Sequence, residues 1–393
     1  MPKNMKICII NNLFTPDQKG GVETVVKTIA WELEKQKHQV LVICAGREKQ
    51  KTTMEKINNI KIYRVGWDKY FAFYDIDEQN LIKRFLYRIH QLHNKYSAST
   101  IRSILKKEKP QLILTHNTLG LGYNIIKIIN QSKIKHLLTL HDVQLIVPSG
   151  QLILDQKINF ILKIYAWFTK NLFKNCQNII SPSEALLNFY LKRNFFSHAS
   201  SQIIPNPISK PLEAFPKKEF SKKELKILYI GQLEEHKGVM DLIRVFKLLD
   251  PEKFSLSIAG RGKLSLQIKN ISAIIGNLDF YGEYNFEQRI KLLNQHDLIV
   301  VPSVCFENAP MVILEAWQQG VPALVSNFGG LPELIEKNKN GWIFRARDVN
   351  NLKEKLEEIY KNQAQLGQMS KYCLEKVRGF EVKNYIQSVL RTP

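Results

Sequence analysis

The sequence predicts an α/β protein built from two doubly wound, Rossmann-like domains that face each other across a cleft. At 393 residues it is too long for one ordinary core. In each half, short β-branched runs alternate with amphipathic helical stretches, the signature of parallel sheets crossed by helices. That alternation breaks once, where Pro205, Pro207, Pro211 and Pro216 stand among lysines.

In the first half the strand-like runs are 6–11, 39–45, 60–65, 111–115, 136–140 and 178–181. Between the first two, Val22, Val25, Val26, Ile29, Ala30 and Leu33 recur at helical spacing, so one face of that helix packs on the sheet. Strands in the second half are expected at 226–230, 255–259, 279–281, 298–301 and 323–326. The implied domains are 1–205 and 224–370, with a linker at 206–223 and a C-terminal helix, 371–393, packing back on the first domain. Two such domains leave a crevice beyond their strand ends, where ligands of these folds bind.

Composition narrows the classes. With 44% hydrophobic and 24% charged residues, the chain reads as globular rather than disordered. No apolar run reaches the roughly 18 residues of a bilayer span, and no leader is visible, so the cytoplasm is the expected location. Five scattered cysteines lack metal or redox spacing. The net charge of +21 is uneven: residues 1–200 hold 30 Lys and Arg against 14 Asp and Glu, and residues 201–393 hold 27 against 22. The basic first half favours an anionic partner. No aromatic-basic RNA motif is present, so nucleic acid is not expected.

Candidate chemistry gathers at strand ends. Gly20 and Gly21 open the first helix, where bare backbone can approach a phosphate, although an ordinary loop fits equally. His141 and Asp142 follow the strand at 136–140, and Ser183-Glu184 follows the one at 178–181. Gly231-Gln232 leads to His236-Lys237-Gly238, a lysine at a glycine-rich helix entry suited to a diphosphate. Gly260-Arg261-Gly262 repeats the glycine-flanked loop. The densest segment runs from Ser303 to Pro332, with Glu307 and Glu315 eight residues apart. Pro310 suits a first helical turn and sets Glu315 on an otherwise apolar helix, where a carboxylate is costly without a partner. No GxGxxG or Walker motif occurs, which argues against dinucleotide enzymes and P-loop NTPases.

In this order the motifs resemble the retaining glycosyltransferases of GT-B architecture, the glycogen-synthase-like group called glycosyltransferase family four. The resemblance implies that Glu307 contacts the donor sugar, Glu315 binds ribose hydroxyls, Lys237 holds the diphosphate and His141 contacts the sugar near the reaction centre. It further implies that backbone at Gly21, Gly231, Asn308, Ala309 and Met311 lines the donor site. Gln232 stands where the family commonly carries arginine, so either Lys237 and Arg261 supply the positive charge or catalysis is weaker than usual for the family. No cofactor or metal is expected; the partners are a UDP- or GDP-sugar donor and a glycan or lipid-linked acceptor, in cell-surface polysaccharide synthesis. The alternatives are a nucleotide-sugar epimerase of the same fold and a non-catalytic sugar- or nucleic-acid-binding protein.

The first domain would receive the acceptor. There, the segment 157–174 combines Ile158, Phe160, Ile161, Ile164, Tyr165, Trp167 and Phe168 with Lys157, Lys163, Lys170 and Lys174, and a second basic run spans 83–109. The segment 157–174 fits either a helix lying on an anionic membrane or a core helix with a solvated lysine face.

Overall fold

The computed structural model of the chain describes residues 4–17, 20–209, 220 and 223–392. The chain forms two compact units: residues 1–151, 157–207 and 382–393 in one, and residues 152–156 and 208–381 in the other. Most of the linker expected at 206–223, and Lys19 beside Gly20, lie outside the described residues.

The first unit carries an eight-stranded sheet. Its strands are β1 (Lys6–Ile10), β2 (Gln39–Lys49), β3 (Thr53–Ile57), β4 (Ile60–Trp67), β5 (Leu112–Thr115), β6 (Lys135–Thr139), β7 (Asn178–Ser181) and β8 (Ser200–Ile203). They lie in the order β3-β4-β2-β1-β5-β6-β7-β8. All pairs are parallel except β3 with β4. The helix Gly21–Lys35 buries Val25, Val26, Ile29, Ala30 and Leu33, the stripe set by its 3.6-residue period. Strand order reverses between β1 and β5, which makes their carboxyl ends the switch point where doubly wound sheets bind ligands.

The second unit carries six parallel strands: β9 (Leu225–Ile230), β10 (Phe254–Ala259), β11 (Leu278–Gly282), β12 (Leu298–Val301), β13 (Ala323–Ser326) and β14 (Gly341–Phe344). Their order, β11-β10-β9-β12-β13-β14, is the Rossmann order, with its switch point between β9 and β12. Alternate residues of β9 enter opposite cores: Leu225, Ile227 and Tyr229 join one, Leu228 and Ile230 the other.

Several expectations meet a different structure. β3, β8 and β14 were not anticipated: β3 and β8 are polar, partly exposed edge strands without an apolar alternation to betray them. The segment 371–393 divides. The helix Leu366–Lys376 buries Met369 and Cys373 in the second unit, whereas Val382–Arg391 belongs to the first, where the Thr392 hydroxyl donates to Gln202 Oε1 at 3.1 Å. Pro310 stands one residue before the helix Met311–Gln318 rather than inside its first turn. The core-helix reading of residues 157–174 fails: the helix Phe160–Phe173 buries Thr169 and Phe173 but leaves Phe160, Ile161, Ile164, Trp167 and Phe168 exposed.

Candidate functional site

In the second unit the candidate side chains Lys237 and Glu307 come from loops that follow the two switch-point strands. After β9 the chain turns through Gly231, whose N–H donates to the Ala259 carbonyl at 3.1 Å, and reaches the short 3-10 turn Glu235–Lys237. Gly238 ends that turn at φ 72°. After β12 the loop Pro302–Glu307 runs beside it, and the Val304 N–H donates to the His236 carbonyl at 3.0 Å. A five-residue strap, Leu152–Gln156, pins the outer side of that loop: Leu154 N–H donates to the Val304 carbonyl at 2.8 Å and Phe306 N–H to the Leu152 carbonyl at 2.7 Å.

These tethers bring Lys237 and Glu307 together. Lys237 Nζ lies 2.5 Å from Glu307 Oε1, and the Ser303 hydroxyl donates to the same oxygen at 2.7 Å. The Cys305 thiol approaches it at 3.6 Å. Both charged side chains are largely buried. Burial alone would raise the Glu307 carboxyl, but the Lys237 charge and the three donors outweigh it and hold the group below the usual carboxylate range. Burial likewise opposes the Lys237 ammonium, and Glu307 reverses the effect, so its pKa is raised. The pair is thus fully ionised: a fixed cation in a mostly dry site, held by a carboxylate whose own position is set by Ser303. Gly330 N–H, in turn, donates to the Glu307 carbonyl at 2.7 Å.

Glu315 has a protein partner that the sequence did not disclose. Arg289, from the helix Phe286–Gln295, places Nη1 2.7 Å from Glu315 Oε1, and its guanidinium lies 5.2 Å from the Phe286 ring centre. Burial raises the Glu315 carboxyl and Arg289 only partly offsets it. Arg289→Ala is therefore expected to cost about 2 kcal/mol in urea unfolding, because a mostly buried carboxylate loses its cation. Arg289→Ala combined with Glu315→Gln is expected to cost less than the two single changes summed.

Asn308 and Ala309 are buried between Glu307 and the helix that begins at Met311. Gln232 is exposed, and its carbonyl accepts from the Tyr229 hydroxyl at 2.7 Å. Arg261 is exposed and pairs with Glu283 at 2.9 Å, so its charge is shared with an acidic neighbour.

In the first unit His141 follows β6, and His116, which the sequence reading passed over, follows β5. His116 Nδ1 and His141 Nε2 lie 2.8 Å apart, one donating and the other accepting according to tautomer. Burial pulls both imidazoles down, His141 to about 3, so both are neutral at ordinary pH. Among the described residues, His116 Nε2 has no hydrogen-bond partner. The two rings line a small cavity of about 30 Å³ with Asn117, Thr118, Thr139 and Asp142. Gly20 and Gly21 are exposed at the start of their helix, and the Gly20 N–H already donates to Glu23 Oε2 at 2.9 Å. A carboxylate thus takes one of the amides expected to face a phosphate.

Comparison with known proteins agrees with the two-unit division. Residues 19–210 match the family described as Glycosyltransferase Family 4, and residues 212–376 match Glycosyl transferases group 1. An uncharacterized glycosyltransferase of Methanocaldococcus jannaschii is 26% identical over 91% of this chain and 94% of its own. An uncharacterized protein in the cps region of Klebsiella pneumoniae is 22% identical over 88% and 91%. Among solved structures, HepE of Anabaena in complex with UDP and glucose superposes with a TM-score of 0.69 at 15% identity, over 98% of each chain. That likeness concerns the fold. The two family matches together run from residue 19 to residue 376 with a break of one residue, and the chain belongs to the group 1, family 4 glycosyltransferases of GT-B fold.

Proposed function

We propose that this glycosyltransferase is a retaining hexosyltransferase that takes its sugar from a UDP- or GDP-sugar, without a metal, and passes it to a glycan or lipid-linked acceptor in cell-surface polysaccharide synthesis, at the inner face of a membrane. The observation that carries the reading is the Lys237–Glu307 pair at the β9/β12 switch point. Cleavage of the bond between the anomeric carbon and the β-phosphate oxygen leaves negative charge on the diphosphate. A preorganised ammonium in a low-dielectric site stabilises that charge without reorganisation during the reaction. Retention follows when the acceptor hydroxyl attacks from the face the phosphate leaves and gives its proton to a departing phosphate oxygen.

In this reading Glu307 positions Lys237 and meets the sugar hydroxyls, while Glu315 meets the ribose. Backbone at Gly21, Gly231, Asn308, Ala309 and Met311 approaches the donor. His141, neutral through burial, serves as a hydrogen-bonding partner of the sugar rather than as a proton store. The polysaccharide context is supported by the cps-region relative, and the uridine nucleotide by the UDP held in HepE.

The test is a screen of α-linked UDP- and GDP-sugars with candidate glycan and lipid-linked acceptors, read by proton NMR at the anomeric centre. An α-linked product is expected. A β-linked product overturns retention, and a free isomerised sugar formed without acceptor assigns the chain to epimerase chemistry instead.

A further inference from the structure

We propose that two helices of the first unit, Leu81–Gln91 and Phe160–Phe173, form one docking surface for an anionic phospholipid bilayer. The proposal deepens the reading of a membrane-side acceptor by naming the surface that meets the lipid.

Each helix shows water a row of large apolar side chains. On the first, Leu81, Ile82, Phe85 and Ile89 are 81%, 72%, 54% and 48% exposed. On the second, Phe160, Ile161, Trp167 and Phe168 are 75%, 64%, 60% and 47% exposed. The spacing puts each row on one helical face, with Tyr87 and Gln91, and Thr169 and Phe173, turned to the core on the other. A soluble monomer seldom leaves two such rows uncovered.

The two helices are anchored on the same residue. Tyr123 N–H donates to the Gln91 carbonyl at 2.7 Å, and the Tyr165 hydroxyl lies 3.3 Å from the Tyr123 hydroxyl. The Arg88 guanidinium and the Tyr165 phenol also interact electrostatically, so the two rows belong to one region of the unit.

Charge selects the occupant. Residues 79–107 contain seven Lys and Arg and residues 156–183 four Lys, and neither stretch contains an Asp or Glu. Lys83, Lys157, Lys163 and Lys174 are exposed. Apolar rows bordered mainly by cations, with Asp77 beside Arg84 and Asp68 beside His90 as the acidic neighbours, suit acyl chains beneath anionic headgroups, with lysine stems reaching up to the phosphates. Trp167 has the amphipathic ring that settles at such an interface. A second copy of the chain is a poorer occupant: a two-fold contact through this face sets the same cations against each other. Among the described residues no helix is long and apolar enough to cross a membrane, so the contact is with the bilayer surface.

The test uses the full chain and vesicles of phosphatidylcholine alone or mixed equally with phosphatidylglycerol, without donor or acceptor. Co-sedimentation is expected with the mixed vesicles, falling steeply with salt, together with a blue shift of tryptophan emission that is missing in Trp167→Phe. The double variants Leu81→Ser/Phe85→Ser, Phe160→Ser/Phe168→Ser and Lys157→Gln/Lys163→Gln should each bind at least about tenfold more weakly. Because these side chains are exposed, their circular dichroism and their hydrolysis of soluble nucleotide sugar should match the wild type. Failure of the wild type to bind mixed vesicles at low salt overturns the proposal, as does binding unchanged in all three variants. A concentration-dependent dimer abolished by the same apolar variants assigns the face to a second copy and overturns it too. Loss of wild-type donor hydrolysis with vesicle binding intact would instead count against the glycosyl-transfer reading.

Discussion

Lys237→Gln is expected to lower cleavage of the nucleotide-sugar donor by about 100- to 1000-fold, the scale seen when one preorganised stabiliser of a developing anion is removed. Glutamine keeps much of the length and a donor but carries no charge, so the loss isolates the ammonium. The change also leaves Glu307 in a largely buried site without a cation, and its carboxyl rises because the charge that chiefly opposes burial is gone while the Ser303 and Cys305 donors remain. Glu307→Gln is expected to be nearly as severe, through a freed Lys237 that is no longer aimed. If the two residues act as a unit, the double variant falls no further than the worse single one. Steady-state kinetics on donor hydrolysis, with far-ultraviolet circular dichroism as the folding control, measure these effects.

Gly238→Ala is expected to produce a large loss of stability. The residue sits at φ 72°, and an added Cβ would lie 2.0 Å from the Pro302 carbonyl oxygen. Both obstacles are backbone, so no side chain can swing aside. The left-handed conformation costs a non-glycine residue roughly 1–3 kcal/mol. Separating the turn from the β12 loop adds to that, for about 3–5 kcal/mol in total. In thermal unfolding, the transition of the second unit should drop by roughly 10 °C. The variant should also lose activity, because Glu235–Lys237 and Pro302–Glu307 are the loops that this contact keeps apart at the right distance. Gly367→Ala is the control: its Cβ meets nothing within 4 Å and it lies in a helix, so it should be neutral or slightly stabilising.

Apolar runs bounded by turn residues were legible. β7, β12 and β13 have the bounds read from sequence, because each is a short β-branched run closed by Ser or Pro. β3 and β8 were not, since polar edge strands owe their conformation to a neighbouring strand rather than to their own pattern. The family motifs placed Lys237 and Glu307 in one reading, yet their direct ion pair spans 70 residues and depends on how two loops cross. Arg289 stands in no motif, and only tertiary packing turns it toward Glu315. His116 is a different case. It follows its strand as His141 does, so the same reasoning applied to both would have found it. The segment 157–174 shows the limit most plainly: aromatic and basic residues at helical spacing suit a core or a membrane alike, and what decides is whether a neighbour covers the aromatics.

The central claim is that the Lys237–Glu307 centre holds the diphosphate of a nucleotide sugar. Isothermal titration of the wild type and of Lys237→Gln with UDP, GDP and their glucose and mannose derivatives tests it most directly. The expected result is saturable binding of one nucleotide series to the wild type at one site per chain, weakened about tenfold or more in the folded variant. Equal binding by the two proteins, or no binding of any of these nucleotides to the folded wild type, would contradict it.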